Sequence, residues 1–263
     1  MKRSYFGIQT TFLIGIILSV LIIKYAIGFT TFKVLFWDFK SIMLVLGGVI
    51  AATHMHFTDN QFFKIFSRLR VAFNPMSRIN LVNDIDEIIF ISNTIKTKGI
   101  TGILPHIEAC RNPFMKLGTS LLYDKVSPKE LQHLLKENIF YTQQRHFQGI
   151  SFFQTMSNYS PSFGLLGTVI GLIKLLANLD SPELFGYGMS LAMITTFYGL
   201  FFSSFVFGPI AGRLQTLSNE EVLQKEMITI GLIGISNNEN SFLIKEKLQN
   251  FISKQARQKL WKK

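Results

Sequence analysis

The chain has 263 residues, of which 48% are hydrophobic, and it carries a formal net charge of +11. Its mean hydropathy of +0.29 is too apolar for a domain that must cover its surface with polar groups, so we expect an integral membrane protein and not a soluble enzyme. The positive charge does not indicate a nucleic-acid partner, because cytoplasmic segments of membrane proteins retain Lys and Arg and no groove-reading motif accompanies the charge.

Four uncharged runs have the length of about 20 apolar residues that a helix needs to cross a hydrocarbon core. They cover residues 4–23, 41–58, 146–173 and 184–212. Short connections join the first run to the second and the third to the fourth. The sequence therefore predicts an all-α integral membrane fold with four transmembrane helices in two hairpins. The basic N-terminus resembles a signal peptide, but its run is longer and lacks an Ala-x-Ala site, so we interpret it as a retained helix.

These runs divide the chain into a first transmembrane hairpin, a helical insert, a second transmembrane hairpin and a helical tail, at 1–58, 59–145, 146–212 and 213–263. Basic residues near the span ends predict the orientation, because cytoplasmic flanks are enriched in Lys and Arg. Seven of them fall on one side of the membrane, and these are Lys2, Arg3, Lys64, Arg68, Arg70, Arg145 and Arg213. Four fall on the other side, and these are Lys24, Lys33, Lys40 and Lys174. We expect both termini, the insert and the tail to be cytoplasmic.

The insert has the apolar spacing and the punctuation of helices. Asn83 or Asp84 is expected to cap a helix that ends at Gly99, and another helix follows Pro113. No β pattern stands out, so the insert is predicted to be helical throughout.

Two further helical patterns adjoin the second hairpin. Ser127 and Pro128 have the residue types of an N-cap and a first helical position, and their helix is expected to continue into the third span. In the tail, amphipathic stretches cover 214–235 and 241–260.

The third span carries a stripe of small residues at helical spacing, formed by Gly164, Gly167, Thr168 and Gly171. In lipid such a stripe lets another helix approach closely, and we expect copies of the chain to meet through it. Packing alone is the alternative, although a hydroxyl among glycines favours a functional role. A dinucleotide fingerprint is excluded, because no strand precedes these glycines.

The fourth span carries hydroxyl groups, and its Thr196, Gly199 and Ser203 share one helix face beside Thr195. These hydroxyls either bond back to their own backbone or line a polar path. The uncharged runs contain no Asp or Glu. If ions cross, the titrating carboxylate must therefore come from another chain, because an unpaired cation in hydrocarbon is costly.

Catalytic and metal-binding chemistry finds little support. We interpret His54 and His56, at the inner end of a predicted span, as residues of the membrane interface. The lone Cys110 is interpreted as a packing residue without reactive chemistry. There is no Ser/His/Asp arrangement, metal-ligand cluster or phosphate loop in the sequence. We expect no enzyme activity, no metal site and no cofactor.

The stretch Pro161-Ser-Phe-Gly-Leu-Leu-Gly-Thr-Val-Ile-Gly171 resembles the third-helix motif of the MotA/TolQ/ExbB ion-channel family. Three more features resemble its flagellar stator A branch, while the ExbB and TolQ branches have three spans. They are Leu44-Val-Leu-Gly-Gly48, Met193-Ile-Thr-Thr-Phe-Tyr-Gly199 and Gly208-Pro-Ile-Ala-Gly-Arg-Leu214.

The resemblance implies a bacterial inner-membrane complex in which five A subunits surround two B subunits. Each B subunit would supply one transmembrane helix with an Asp, and sodium ions or protons would load that carboxylate. The ring would turn and drive a flagellar rotor switch protein. Pro161 and Pro209 match two family prolines, and a residue without an N–H can act as a hinge.

The same resemblance implies a basic and an acidic residue in the insert that contact the rotor. Lys96 matches the basic position and Lys98 lies beside it, but the acidic position falls on Leu104, with Glu108 four residues further. This departure keeps an alternative open, an ExbB/TolQ-like energiser of the cell envelope without a flagellar rotor. A structural membrane scaffold is the third class.

The transported ion is predicted from hydroxyls. Thr168 and Thr196 are expected to meet beside the partner Asp, with Thr195 adjacent. Two hydroxyls and nearby carbonyls suit a dehydrated sodium ion, and a Thr-Thr pair in the fourth span resembles sodium-type members of the family. A proton remains the alternative.

Overall fold

In the computed structural model, the described residues are 7–28, 37–59, 62, 65, 80–177, 180 and 182–261. They belong to two compact units. The first unit combines Met1–Met76 with Phe147–Gln215, and the second combines Ser77–His146 with Thr216–Lys263. Each unit is described by itself below.

Every regular element in the described ranges is a helix, as the sequence predicts. In chain order the helices are α1 (Gly7–Ile27), α2 (Phe39–His56), α3 (Leu81–Lys98), α4 (Leu104–Ala109), α5 (Pro113–Tyr123), α6 (Pro128–Leu176), α7 (Pro182–Phe201), α8 (Gly208–Ser236), α9 (Ser241–Gln249) and α10 (Lys254–Trp261). Two π-helical turns interrupt the apolar helices, at Met43–Gly47 inside α2 and at Phe202–Phe207 between α7 and α8.

Three helical stretches of the described chain are long and apolar enough to cross a membrane. They are Phe39–His56, Pro128–Leu176 and Phe185–Ser236, which contain or largely overlap the last three predicted runs. The first predicted run, 4–23, begins outside the described residues and overlaps α1, a helix of 21 residues whose only charged residue is Lys24. The count of four spans therefore stays a prediction.

The caps of the second unit explain where its helices begin and end. Ser127 accepts a hydrogen bond from the Glu130 N–H (3.3 Å) ahead of Pro128, so α6 begins as expected and runs without a break into the third span. Gly99 ends α3 at φ +75°, a conformation that favours glycine.

The expected cap of α3 is wrong. Asn80, and not Asn83 or Asp84, caps α3, because its side chain accepts the Asn83 N–H (3.3 Å) and leaves Asp84 in the first turn. The amphipathic stretch 241–260 forms two helices, α9 and α10. After α9 the chain makes hydrogen bonds between residues three apart, from Phe251 N–H to Leu248 O (3.1 Å) and from Ile252 N–H to Gln249 O (3.2 Å). Ile252, in this turn between α9 and α10, is buried.

Each unit has its own apolar core. The core of the first unit is rich in aromatic residues and contains Val49, Ile65, Phe152, Phe153, Met156, Phe207, Ile210 and Ala211. The core of the second unit is largely aliphatic and is centred on the fully buried Ile85, Ile88, Ile91, Met115, Leu131, Leu135, Met227, Ile228 and Leu232.

Candidate functional site

Helices α6 and α7 of the first unit are in backbone contact along the stripe of small residues. A Cβ atom added to Gly171 would lie 2.7 Å from both Ala192 N and Gly188 O, and one added to Gly199 would lie 2.7 Å from Ser160 O. Only glycine fits at such distances, as in other close helix crossings in lipid.

Gly164 belongs to the same crossing, because a Cβ there would lie 3.1 Å from the Gly199 Cα. The small stripe therefore packs against a helix of its own chain. This differs from the expected contact between copies of the chain, because the spacing of small residues indicates a close partner but does not identify it.

Thr195 is the hydroxyl residue that meets the stripe. Its side chain is fully buried, and a Cβ added to Gly167 would overlap it. The Thr195 hydroxyl donates to Leu191 O (2.9 Å) and also lies 3.0 Å from Ala192 O. The hydroxyl proton is thus held by the helix, while the oxygen keeps lone pairs.

Thr168 and Thr196 are not joined by a hydrogen bond within the described ranges. The Thr168 hydroxyl donates to Leu165 O (2.6 Å), and the Thr196 hydroxyl donates to Ala192 O (3.1 Å). Both side chains are partly exposed. The arrangement differs from the expected Thr168–Thr196 pair, because one residue of rotation on α7 brings Thr195 to the crossing.

A second polar contact joins α6 to the π turn that follows α7. The Ser157 hydroxyl donates to Ser203 O (3.1 Å), and the two hydroxyl oxygens are 3.2 Å apart. Gly208 N–H bonds to the same carbonyl, as the wide turn requires. The sequence indicates the polar face that contains Ser203, but no pattern in it points to Ser157.

Pro161 and Pro209 lie on either side of this contact. Pro161 is inside α6 and has no N–H, so the Ser157 carbonyl lacks its usual hydrogen-bond donor in the helix. Pro209 follows Gly208, the residue after the π turn. The missing N–H of Pro209 is the sequence signal that could have indicated an irregular turn. The helix α6 continues through Pro161.

The second unit holds the residues expected at a rotor. The ammonium group of Lys96 lies 3.3 Å from the Ser241 hydroxyl, and Lys98 and Glu108 are exposed. Leu104, at the position where the resemblance implies an acid, is 44% exposed, and Phe90 is 56% exposed.

A polar network that the sequence did not reveal ties α3 to its neighbours. Glu87 Oε1 lies 3.0 Å from His106 Nε2 and accepts from the Cys110 thiol (3.3 Å). Burial, with Glu87 as the next cause, raises the pKa of Cys110 to about 11, so the thiol stays protonated and unreactive. Asp84 accepts from Gln224 (2.7 Å), and burial raises its pKa.

The two histidines at the C-terminal end of α2 are separate. His54 Nε2 lies 3.8 Å from Asp59, and His56 Nδ1 lies 3.4 Å from the Tyr159 hydroxyl. Each histidine thus has its own polar neighbour, and in the described ranges no cluster of metal-ligating residues forms around them.

Comparison with known proteins identifies the family. Residues 106–227 match the MotA/TolQ/ExbB proton channel family. The chemotaxis protein PomA of Vibrio alginolyticus is 33% identical over 224 residues, 85% of this chain and 87% of that protein. The uncharacterized protein YtxD of Bacillus subtilis is 28% identical over 259 residues, which are 98% of this chain and 94% of that protein. The flagellar MotAB stator complex from Bacillus subtilis has a chain that matches with TM-score 0.86 at 25% identity, covering 94% of this chain and 97% of that one. This chain therefore belongs to the MotA/TolQ/ExbB proton channel family.

Proposed function

We propose that this chain is the A subunit of a flagellar motor stator, which conducts ions together with a B subunit and converts the flow into torque. The similarity to PomA and to a MotAB chain over most of its length supports this branch of the family. The observation that carries the proposal is the crossing of α6 and α7, where the Thr195 side chain packs against a contact of glycines and the uncharged runs 146–173 and 184–212 hold no Asp or Glu. The titrating Asp would come from the single transmembrane helix of a B-type subunit.

The assembly is a membrane complex with four spans per A subunit. Helix α1, with 21 residues and one charge, is long enough to be the first span. The bias of basic residues supports cytoplasmic termini, insert and tail in the bacterial inner membrane. The segments 1–58, 59–145, 146–212 and 213–263 are the corresponding proposed domains, and five such chains would surround two B subunits.

The ion path runs beside the hydroxyls of Thr168, Thr195 and Thr196. Each hydroxyl donates its proton to a backbone carbonyl. The oxygens of the partly exposed Thr168 and Thr196 can then accept a hydrogen bond or face a cation, whereas the buried Thr195 packs against Gly167. The contact of Ser157 with Ser203 would transmit movement between α6 and the π turn, with Pro161 and Pro209 as hinges.

The exposed end of α3 would contact the rotor switch protein. Lys96 and Lys98 present positive charge there, and Glu108 on α4 supplies a negative one. The exposed apolar Leu104 favours a second candidate, an envelope energiser without a flagellar rotor, because an acid is absent at the matching position.

Complementation in a flagellated strain that lacks stators separates the two functions. The chain is expressed with a B-type stator subunit that has one transmembrane helix carrying an Asp. We expect swimming to return with both proteins and to be lost when the partner's membrane Asp is replaced by Asn. A complex that conducts ions without restoring swimming, with a TonB-like or TolR-like partner, would establish the energiser instead.

A further inference from the structure

Helix α9 runs antiparallel to α8 in the second unit. A Cβ atom added to Gly234 would lie 3.0 Å from the Ile244 side chain, and one added to Gly231 would lie 3.3 Å from the Leu248 side chain. Residue numbers therefore rise along α9 while they fall along α8. The chain leaves α9 in the direction of the earlier residues of α8, which follow the run 184–212 on the same helix.

Helix α10 is held on the second unit by one face. Ala256 packs against the apolar core of that unit, as does the turn that precedes α10. The Ser253 hydroxyl caps the helix and accepts from the Ala256 N–H (3.4 Å), while its carbonyl accepts from the Arg257 N–H (3.0 Å). Lys254 and Gln258 are exposed, so another face of α10 is open to a partner.

The rise of a helix sets how far this segment can extend. Along α8, Gly231 comes 19 residues after Gly212, the last residue of the fourth uncharged run, which corresponds to about 28 Å of helix. The 13 residues from Gln249 to Trp261 cover about 20 Å at the same rise. Lipid headgroups extend about 5–7 Å beyond the hydrocarbon core. The basic side chains of α10 can therefore come within reach of the headgroups.

The charge of this segment has one sign. The last ten residues of the sequence contain no Asp or Glu, and their five basic residues are Lys254, Arg257, Lys259, Lys262 and Lys263. Helix α10 has eight residues and no acidic residue in its first turn, where Lys254 lies instead. A cation at the N-terminus of a short helix opposes the helix dipole, and a helix of this length is marginal by itself. An external anionic surface would offset both effects.

We propose that α10 and the basic residues that follow it bind the anionic headgroups of the membrane surface on the side of the tail. Clustered Lys and Arg are attracted to such a surface, and the return of α9 along α8 directs the cluster toward it. An acidic protein would match the charge but gives no reason for this direction. The contact requires that α8 leaves a membrane near Gly212, and it does not depend on ion conduction or on a rotor.

Fluorescence quenching in nanodiscs tests this contact. The complex of the full chain and its B-type partner is reconstituted in phosphatidylcholine, with or without phosphatidylglycerol, together with a phospholipid that carries a nitroxide quencher on its headgroup. In a Cys110→Ser background, a fluorophore is attached at Gln258→Cys on α10 or, as the control, at Asp124→Cys. Asp124 follows α5, which runs parallel to α8 because its Phe114 lies at Lys225 and its Gly118 lies at Leu232, so this end of α5 points away from the run 184–212.

We expect the label on α10 to be quenched about twofold or more above the label at Asp124 in discs with phosphatidylglycerol. The excess should disappear in phosphatidylcholine alone and at about 1 M salt, where the Debye length is only about 3 Å. Lys254→Gln with Arg257→Gln should lower the excess by about half or more, since two cations are lost. Lys116→Gln with Lys129→Gln is the matched control, because it removes the same charge from exposed positions of the same unit.

Equal quenching of the two labels in discs with phosphatidylglycerol would overturn the contact. Quenching on α10 that is the same without phosphatidylglycerol, or that the α10 variant leaves unchanged, would assign the position of α10 to packing and overturn the role of anionic lipid. A label on α10 that is shielded from the quencher and cross-links to a protein chain would assign the segment to a protein partner instead. A third label at Trp37→Cys, which is 72% exposed beside the second predicted span, should be quenched in every disc. If it is not quenched, the membrane placement itself is wrong.

Discussion

At the crossing of α6 and α7, Gly171 leaves no room for a side chain, because the two nearest atoms that it faces belong to the backbone of the other helix. Backbone atoms cannot rotate away as the end of a side chain can, so a single added methyl group must push the helices apart. Gly186, which lies on α7, has nothing within 4 Å of an added Cβ. The two glycines therefore form a matched pair for a substitution experiment.

We predict that Gly171→Ala lowers the free energy of unfolding of the complex by about 1–3 kcal/mol, the usual cost of overpacking. The control Gly186→Ala should be neutral or slightly stabilising, because Ala favours a helix over Gly by about 1 kcal/mol. Thermal unfolding of the purified complex in detergent measures both. Equal melting temperatures for the Gly171 variant and the unmodified complex would mean that the crossing is looser than the structure shows.

Asp84 supplies a prediction about pH in the second unit. Burial raises the pKa of Asp84 despite the hydrogen bond from Gln224, with Glu87 adding to the rise. The folded unit therefore binds this proton more tightly than the unfolded chain. The stability that follows is complete at a pH below the ordinary pKa of Asp and is lost as the pH rises through the raised value.

We expect Asp84→Asn to gain stability relative to the unmodified protein as the pH rises. The Asn side chain keeps an oxygen that can accept from Gln224, but it does not ionise. The difference in melting temperature between the two proteins, measured at about pH 4.5 and about pH 8, should shift in favour of the variant. Asp124→Asn, on the exposed turn after α5, is the control, and a shift of equal size in that variant would remove Asp84 as the cause.

At the level of elements, periodicity and caps were enough to locate the long helices. The three apolar stretches, the start of α6 at Pro128 and the end of α3 at Gly99 follow from local chemistry. The cap of α3 does not follow from local chemistry, because Asn80, Asn83 and Asp84 lie within five positions and each has a side chain that can cap a helix. The burial of Asp84 against Gln224, 140 residues away, selects among them, and no local pattern contains that contact.

The π turns and the contact of Ser157 with Ser203 were also beyond the sequence. In a uniformly apolar segment, one extra residue per turn leaves no change of composition. The partner of Ser157 depends on how α6 and α7 are rotated about their axes, and neighbouring residues such as Thr195 and Thr196 differ only in that rotation. The hydroxyl residues of these spans therefore predict a polar contact between α6 and α7, but not which residues form it.

The Ser157 contact leads to a prediction for the π turn after α7. Ser157→Ala removes the hydrogen bond to Ser203 O and should cost about 0.5–1.5 kcal/mol of stability. If the turn moves during the motor cycle, swimming speed should also fall. Ser162→Ala is the matched control on α6, since Ser162 is exposed. Thermal unfolding and swimming speed measure the two effects, and unchanged values for both would leave the contact without a role.

At the level of the whole molecule, torque requires a surface that reaches the rotor. Lys96→Glu reverses a charge at the exposed end of α3 and is expected to lower motility several-fold, because the substitution repels an acidic partner surface. Assembly should persist, since the Lys96 ammonium has only the Ser241 hydroxyl as its hydrogen-bond partner in the described part of the chain. Swimming and the amount of membrane complex are measured together.

Lys116→Glu is the control for that experiment, because Lys116 is exposed on α5 and the change in net charge is the same. Normal swimming of the Lys96 variant at normal protein levels would remove α3 from the rotor contact. A loss of swimming in both variants would assign the effect to net charge alone.

The identity of the transported ion is the last prediction. Sodium needs several oxygen ligands, whereas a proton needs only a carboxylate and a relay. The partly exposed hydroxyls of Thr168 on α6 and Thr196 on α7 direct their protons to backbone carbonyls and leave their oxygens available to a cation. We therefore expect motor speed to follow external sodium at constant pH, and Thr196→Ala to raise the sodium concentration that gives half-maximal speed. Thr58→Ala, two residues after the C-terminal end of α2, is the control. Rotation that persists without sodium and stops with a protonophore would identify the proton as the ion, and these hydroxyls would then serve only helix packing.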